Sequence, residues 1–130
     1  MIFIDTNFFL RFLLKNVEGQ YKETRDFFVD ASEGKHKLFT SLIVVFEVYW
    51  VISGQFKNEK RKICNVLSKL LDFKFVQFDD LELIKDAIKV YSKTNLDLED
   101  SYNLVFAKRG GAKEFKTFDK KLQSRWKLQK

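Results

Sequence analysis

The feature that most constrains the fold is an alternation of apolar runs too short to be helices with longer segments whose apolar residues recur at helical spacing. Ile2-Phe3-Ile4 reads as a buried strand ending at Asp5. Residues 7–14 follow with Phe9, Leu10, Leu13 and Leu14 on one helical face. Residues 17–32 read as a second helix offering Tyr21, Phe27 and Phe28 to a core, broken by Gly34. Leu38-Phe39 is a second strand, and Ser41 is placed to cap a helix over 42–52 that Gly54 closes. Ile63, Val66, Leu67 and Leu70 make 59–71 amphipathic, and Phe73, Phe75 and Phe78 mark a third strand. Helices follow over 81–91 and 98–108, the second ended by Gly110-Gly111. Residues 115–118 read as a fourth strand, and 120 onward as a basic helix or tail. Such alternation predicts an α/β fold with a short, mainly parallel central sheet and helices on both faces. Sheets of this kind place their sites at the carboxyl ends of the strands.

At 130 residues the chain is the size of one domain, and without proline and with only five glycines it shows no interdomain linker. A single domain over 1–130 is expected. One cysteine, Cys64, excludes an intrachain disulfide framework and fits a reducing compartment. The apolar runs 42–46 and 48–52 fall short of the roughly 18 residues a bilayer span needs, so no membrane is expected. Asp5 and Arg11 interrupt the apolar start, which argues against a signal peptide and for the cytoplasm.

The formal net charge of +6 is unevenly placed. Residues 108–130 hold nine basic residues against Glu114 and Asp119, while the preceding residues are almost balanced. A basic C-terminal segment suits a polyanion such as RNA, and equally a solvated terminal helix.

The carboxylates fall at suggestive places. Asp5 closes the first strand, Asp119 follows 115–118, and Asp97 and Asp100 open a helix on one face. Each has a local alternative, because Asp at a helix start caps backbone N–H groups and is favoured by the helix dipole. Glu47 is the only non-apolar residue from Leu42 to Ile52. An ionised carboxylate in so apolar a helix calls for a metal or cationic partner, or else lies on a narrow exposed strip. If such acids met, each pair about 5 Å apart would cost roughly 3 kcal/mol at an effective dielectric near 20. A cation would offset this, and oxygen-only ligands select Mg2+ or Mn2+. His36 and Cys64 stand alone and give no zinc spacing. No G-x-G-x-x-G or P-loop is present, and Asp5-Thr6-Asn7 lacks the second acid of a phosphotransferase D-x-D. An acidic metal site beside a basic surface points to phosphodiester chemistry.

Four blocks in order resemble the PIN-domain ribonucleases, specifically the VapC-type toxins of toxin–antitoxin pairs. They are Ile4-Asp5-Thr6-Asn7-Phe8-Phe9-Leu10-Arg11, Ser41 to Val51 around Glu47, Leu96-Asp97-Leu98-Glu99-Asp100-Ser101, and Lys116-Thr117-Phe118-Asp119-Lys120-Lys121-Leu122. The resemblance implies a three-layer PIN-like fold and Mg2+-dependent endoribonuclease activity, with Mn2+ as a substitute. It makes Asp5, Glu47, Asp100 and Asp119 the catalytic, metal-binding acids, Asp97 an accessory acid, and Thr6 and Thr117 hydroxyls that orient carboxylates. Glu99 and Lys116 stand where the family usually has a small and an apolar residue. The resemblance further implies an RNA substrate, a homodimer and a cognate antitoxin. Lys120, Lys121 and Arg125 are expected on RNA phosphates. The alternative is a non-catalytic PIN-like module that binds RNA or protein.

Overall fold

The computed structural model describes residues 1–129 and divides into two compact units, Met1–Asp80 and Leu81–Lys130. The first holds β1 (Ile2–Phe3), α1 (Thr6–Leu14), α2 (Glu18–Ser32), β2 (Leu38–Thr40), α3 (Leu42–Gln55), α4 (Lys60–Leu71) and β3 (Val76–Phe78). The second holds α5 (Leu81–Lys93), α6 (Leu98–Arg109) and α7 (Lys120–Gln129). The chain is α/β, with seven helices and one short sheet among the described residues.

The sheet is parallel throughout, in the order β1-β2-β3, and its register aligns Phe3, Phe39 and Gln77. Successive residues of a strand face opposite sides. Leu38, Thr40, Val76 and Phe78 are therefore buried on one side, while Phe3, Phe39 and Gln77 are exposed on the other. Each crossover between parallel strands carries a pair of helices, as parallel pairing demands. As an edge strand, β1 leaves Ile2 and Phe3 exposed, and only Ile4, just past its end, is buried.

The core of the first unit is aromatic. Phe9 is fully buried, stacks on Phe28 and Phe78, and lies beside Phe73. The many phenylalanines thus serve chiefly as interior packing here. α3 buries Val44, Val45, Val48 and Ile52, and Ser41 caps it by accepting the Val44 N–H at 3.3 Å. Gly54 does not stop α3. The helix runs one residue further, and Lys57 and Asn58 turn the chain in left-handed conformations. In the second unit α5 and α6 pack along each other, and Leu96, Leu104, Leu122 and Trp126 form a small core.

Two expected strands differ. β3 begins at Val76 because Phe73 and Phe75 belong to a turn, where the Phe73 carbonyl accepts the Val76 N–H and the two rings stack. Residues 115–118 are not a strand. Phe115 and Thr117 do alternate inward against exposed Lys116 and Phe118, but no ladder forms. Phe115 is held instead by its ring contact with Trp126 of α7. Gly110 caps α6, and Gly111, at φ 77°, reverses the chain in a conformation that suits glycine.

Candidate active site

In the first unit the acids of interest are Asp5 and Glu47. Asp5 follows β1 and occupies the N-cap position of α1, yet its exposed side chain makes no capping hydrogen bond. The carboxylate is not committed to the helix. Thr6, one residue on, is buried, and its Oγ1 donates to Glu47 Oε1 at 2.8 Å. This bond joins the start of α1 to the middle of α3. Glu47 is half-buried on a strip of α3 that also exposes Ile43, Trp50 and Val51. No ion pair to it is formed among the described residues. The narrow-strip reading of the helix therefore describes its surroundings, with Thr6 as hydrogen-bond donor.

A hydrogen bond to a charged group contributes roughly 1.5–3 kcal/mol. Thr6→Val, which keeps shape and removes the donor, is expected to destabilise the fold by about 1–2 kcal/mol at this half-buried site. Thr6→Ser should leave stability near wild type, and urea unfolding of both variants checks the pair.

In the second unit both expected caps are formed. Asp97 Oδ1 accepts the Asp100 N–H at 2.8 Å, and Asp119 Oδ1 accepts the N–H groups of Lys121 and Leu122 at 2.8 and 3.2 Å. Thr117 braces the second turn, because its Oγ1 accepts the Asp119 N–H at 3.0 Å and its carbonyl accepts from Gln123 Nε2. Each cap engages one carboxylate oxygen.

Asp100 is not a cap. Partial burial, followed by the charges of Asp97, Asp119 and Glu99, raises its carboxyl above the ordinary value of 3.8. Glu99 Oε1 is buried without a hydrogen-bond partner among the described residues. The departure at 99 thus adds a fourth acid to the local field. Asp119, although far from Asp100 in sequence, is near enough in this unit for its charge to act on it.

Lys120, Lys121 and Arg125 line one surface cavity of about 390 Å3 on α7, together with Asn95 and Ser124. Asn95 and Ser124 were not singled out in the sequence, where an isolated amide and hydroxyl carry little signal. His36 is half-buried and stacks on Phe27 with ring centres 4.6 Å apart.

Among the described residues, no group of three or more His, Cys, Asp or Glu side chains is gathered so as to hold a metal ion. The donor set nevertheless fits a hard divalent cation in its chemistry. It is all oxygen, and beside it Glu99 Oε1 is buried and unpartnered among the described residues. No helix among the described residues is long and apolar enough to cross a membrane.

A family model described as the PIN domain matches residues 2–126, almost the whole chain and both units. The protein belongs to the PIN-domain family. Among curated proteins it is similar to the VapC ribonuclease of Aquifex aeolicus (strain VF5), 28% identical over 123 residues that cover 95% of this chain and 90% of that one. No solved structure gives a significant match.

Proposed function

We propose that this protein is a divalent-metal-dependent endoribonuclease, the toxin of a toxin–antitoxin pair, acting on RNA in the cytoplasm. The observation that carries the reading is the end-to-end similarity to a VapC ribonuclease, read together with the acids Asp97, Asp119 and Glu99 whose charges act on Asp100. The whole of 1–130 acts as one domain in this reading, with 108–130 as its basic segment.

Asp5, Glu47, Asp100 and Asp119 would hold Mg2+, for which Mn2+ can substitute, and Asp97 would assist. Held there, such an ion would lower the pKa of a bound water and polarise the scissile phosphate. The chain's own groups prepare for this. Thr6 fixes the Glu47 carboxylate by its hydroxyl bond. The α7 cap fixes one oxygen of Asp119 and leaves the other for the ion, Thr117 holds the Asp119 backbone N–H, and the α6 cap fixes one oxygen of Asp97. The exposed apolar residues of α3 suit a homodimer or an antitoxin contact that silences the enzyme.

The test is cleavage of structured RNA by purified protein with Mg2+ or Mn2+, and with EDTA. Cleavage that requires the metal supports the proposal. RNA binding without cleavage under any metal would assign the protein to the non-catalytic class.

A further inference from the structure

The cavity on α7 has the chemistry of a phosphate site. Three of its lining side chains, Lys120, Lys121 and Arg125, are cationic, and none has an ion-pair partner among the described residues. Two other cations of this unit are paired, Arg109 with Asp86 and Lys116 with Glu114, each across an exposed surface. The cavity adds the amide of Asn95 and the hydroxyl of Ser124, which are neutral donors, and the exposed Leu128 at its margin. No carboxylate lines it. Unpaired cations with neutral donors and no acid select an anion, and guanidinium with ammonium groups suits a phosphate.

Its position is equally informative. The two segments that line it lead straight into the acidic group. Asn95-Leu96 runs into Asp97, and Asp119 runs into Lys120-Lys121. A negative cluster and a positive cavity are thus adjacent along the same two stretches of chain. The acids would take the scissile phosphate through a cation, whereas the cavity takes a phosphate directly.

We propose that this cavity binds a backbone phosphate of the RNA that is not the one cut, and so sets the register of the strand. This deepens the ribonuclease reading and rests on it. Arg125 and Lys121 are positioning residues in this role.

The experiment is fluorescence anisotropy with a short, labelled single-stranded RNA in EDTA, where nothing is cut, across a salt series. Each phosphate contact on a single strand contributes about 0.7 to the slope of log affinity against log salt. Because the cations serve one phosphate, Arg125→Gln should lower the slope by part of that amount, and Lys121→Gln with Arg125→Gln by nearly all of it, about 0.7. Arg125→Lys should keep the wild-type slope, and so should Lys89→Gln on α5. In the cleavage assay with Mg2+, the double variant should lose efficiency on the oligonucleotide but match wild type on a dinucleotide, which has only the scissile phosphate. An unchanged slope in the double variant, with metal-dependent cleavage intact, would overturn the subsite and leave the nuclease standing. Competition by inorganic phosphate with no change of slope would assign the cavity to a free anion and also overturn it. Failure of wild type both to bind and to cut RNA would overturn both readings.

Discussion

Asp100→Asn is expected to lower the rate of RNA cleavage by roughly a hundred- to a thousand-fold while making the metal-free protein more stable. The first effect follows from the role given to Asp100 as a metal ligand. Loss of roughly 3–4 kcal/mol of transition-state stabilisation corresponds to that factor. The second follows from its surroundings. Partial burial, and then Asp97, Asp119 and Glu99, disfavour the charged form in the folded chain and raise its carboxyl above 3.8. In the unfolded chain the carboxyl titrates at its ordinary value. The folded state therefore holds the proton more tightly, and stability falls as pH rises from about 3.8 through the raised value. At neutral pH the penalty is fully present, and Asn removes it. Relief of surface charge repulsion commonly yields about 0.5–2 kcal/mol, and screening at a largely exposed position holds it to the low end. A gain of roughly 2–4 °C in melting temperature in EDTA is expected, vanishing in acid below the unfolded value. A variant that loses activity and stability together would mean that Asp100 matters only as part of the fold.

The second large effect comes from the metal itself. A cation that binds only the folded site stabilises by RT ln(1 + [L]/Kd), about 2.7 kcal/mol at a hundred times Kd. For a chain of this length that is roughly 10 °C in melting temperature. Mg2+ or Mn2+ should give a shift of this order in wild type and a much smaller one in Asp100→Asn. A scanning melt with and without the metal measures it, and equal shifts in the two proteins would exclude Asp100 as a ligand.

Much of the fold could be read from residue spacing, because strand and helix periods differ so plainly here. The six helices over 6–109 and the parallel character of the sheet follow from alternation and caps, as at Ser41. The stretch 115–118 misled for a physical reason. Its alternating pattern is that of a strand, but a strand also needs a neighbour, and the contact of Phe115 with Trp126 answers the same apolar demand without one. Phe73 and Phe75 misled similarly, because stacking inside an aromatic core needs no extended backbone.

The candidate site was legible in another way. Glu47 stood out by hydropathy alone, but its donor Thr6 lies 41 residues earlier, beyond the reach of any local pattern. Asp97 and Asp119 were ambiguous because a cap and a ligand call for the same residue in the same place. Both are caps, and a cap occupies only one oxygen. Asp100 differs from them by its partial burial, and then by the charges of Asp97, Asp119 and Glu99, of which Asp119 is brought to it by folding. The cavity on α7 was half legible, since the cations were visible as charge whereas Asn95 and Ser124 had to be brought to them by folding.

The central claim is that Asp5, Glu47, Asp100 and Asp119 act on one divalent ion. Calorimetric titration of Mn2+ into metal-free wild type and into Asp5→Asn, Glu47→Gln, Asp100→Asn and Asp119→Asn tests it most directly. Asn caps a helix as well as Asp does, so Asp119→Asn removes charge without loosening α7. The account predicts one saturable site in wild type and at least about tenfold weaker binding in each variant. Wild type that takes up no ion, or variants that titrate as wild type does, would contradict it.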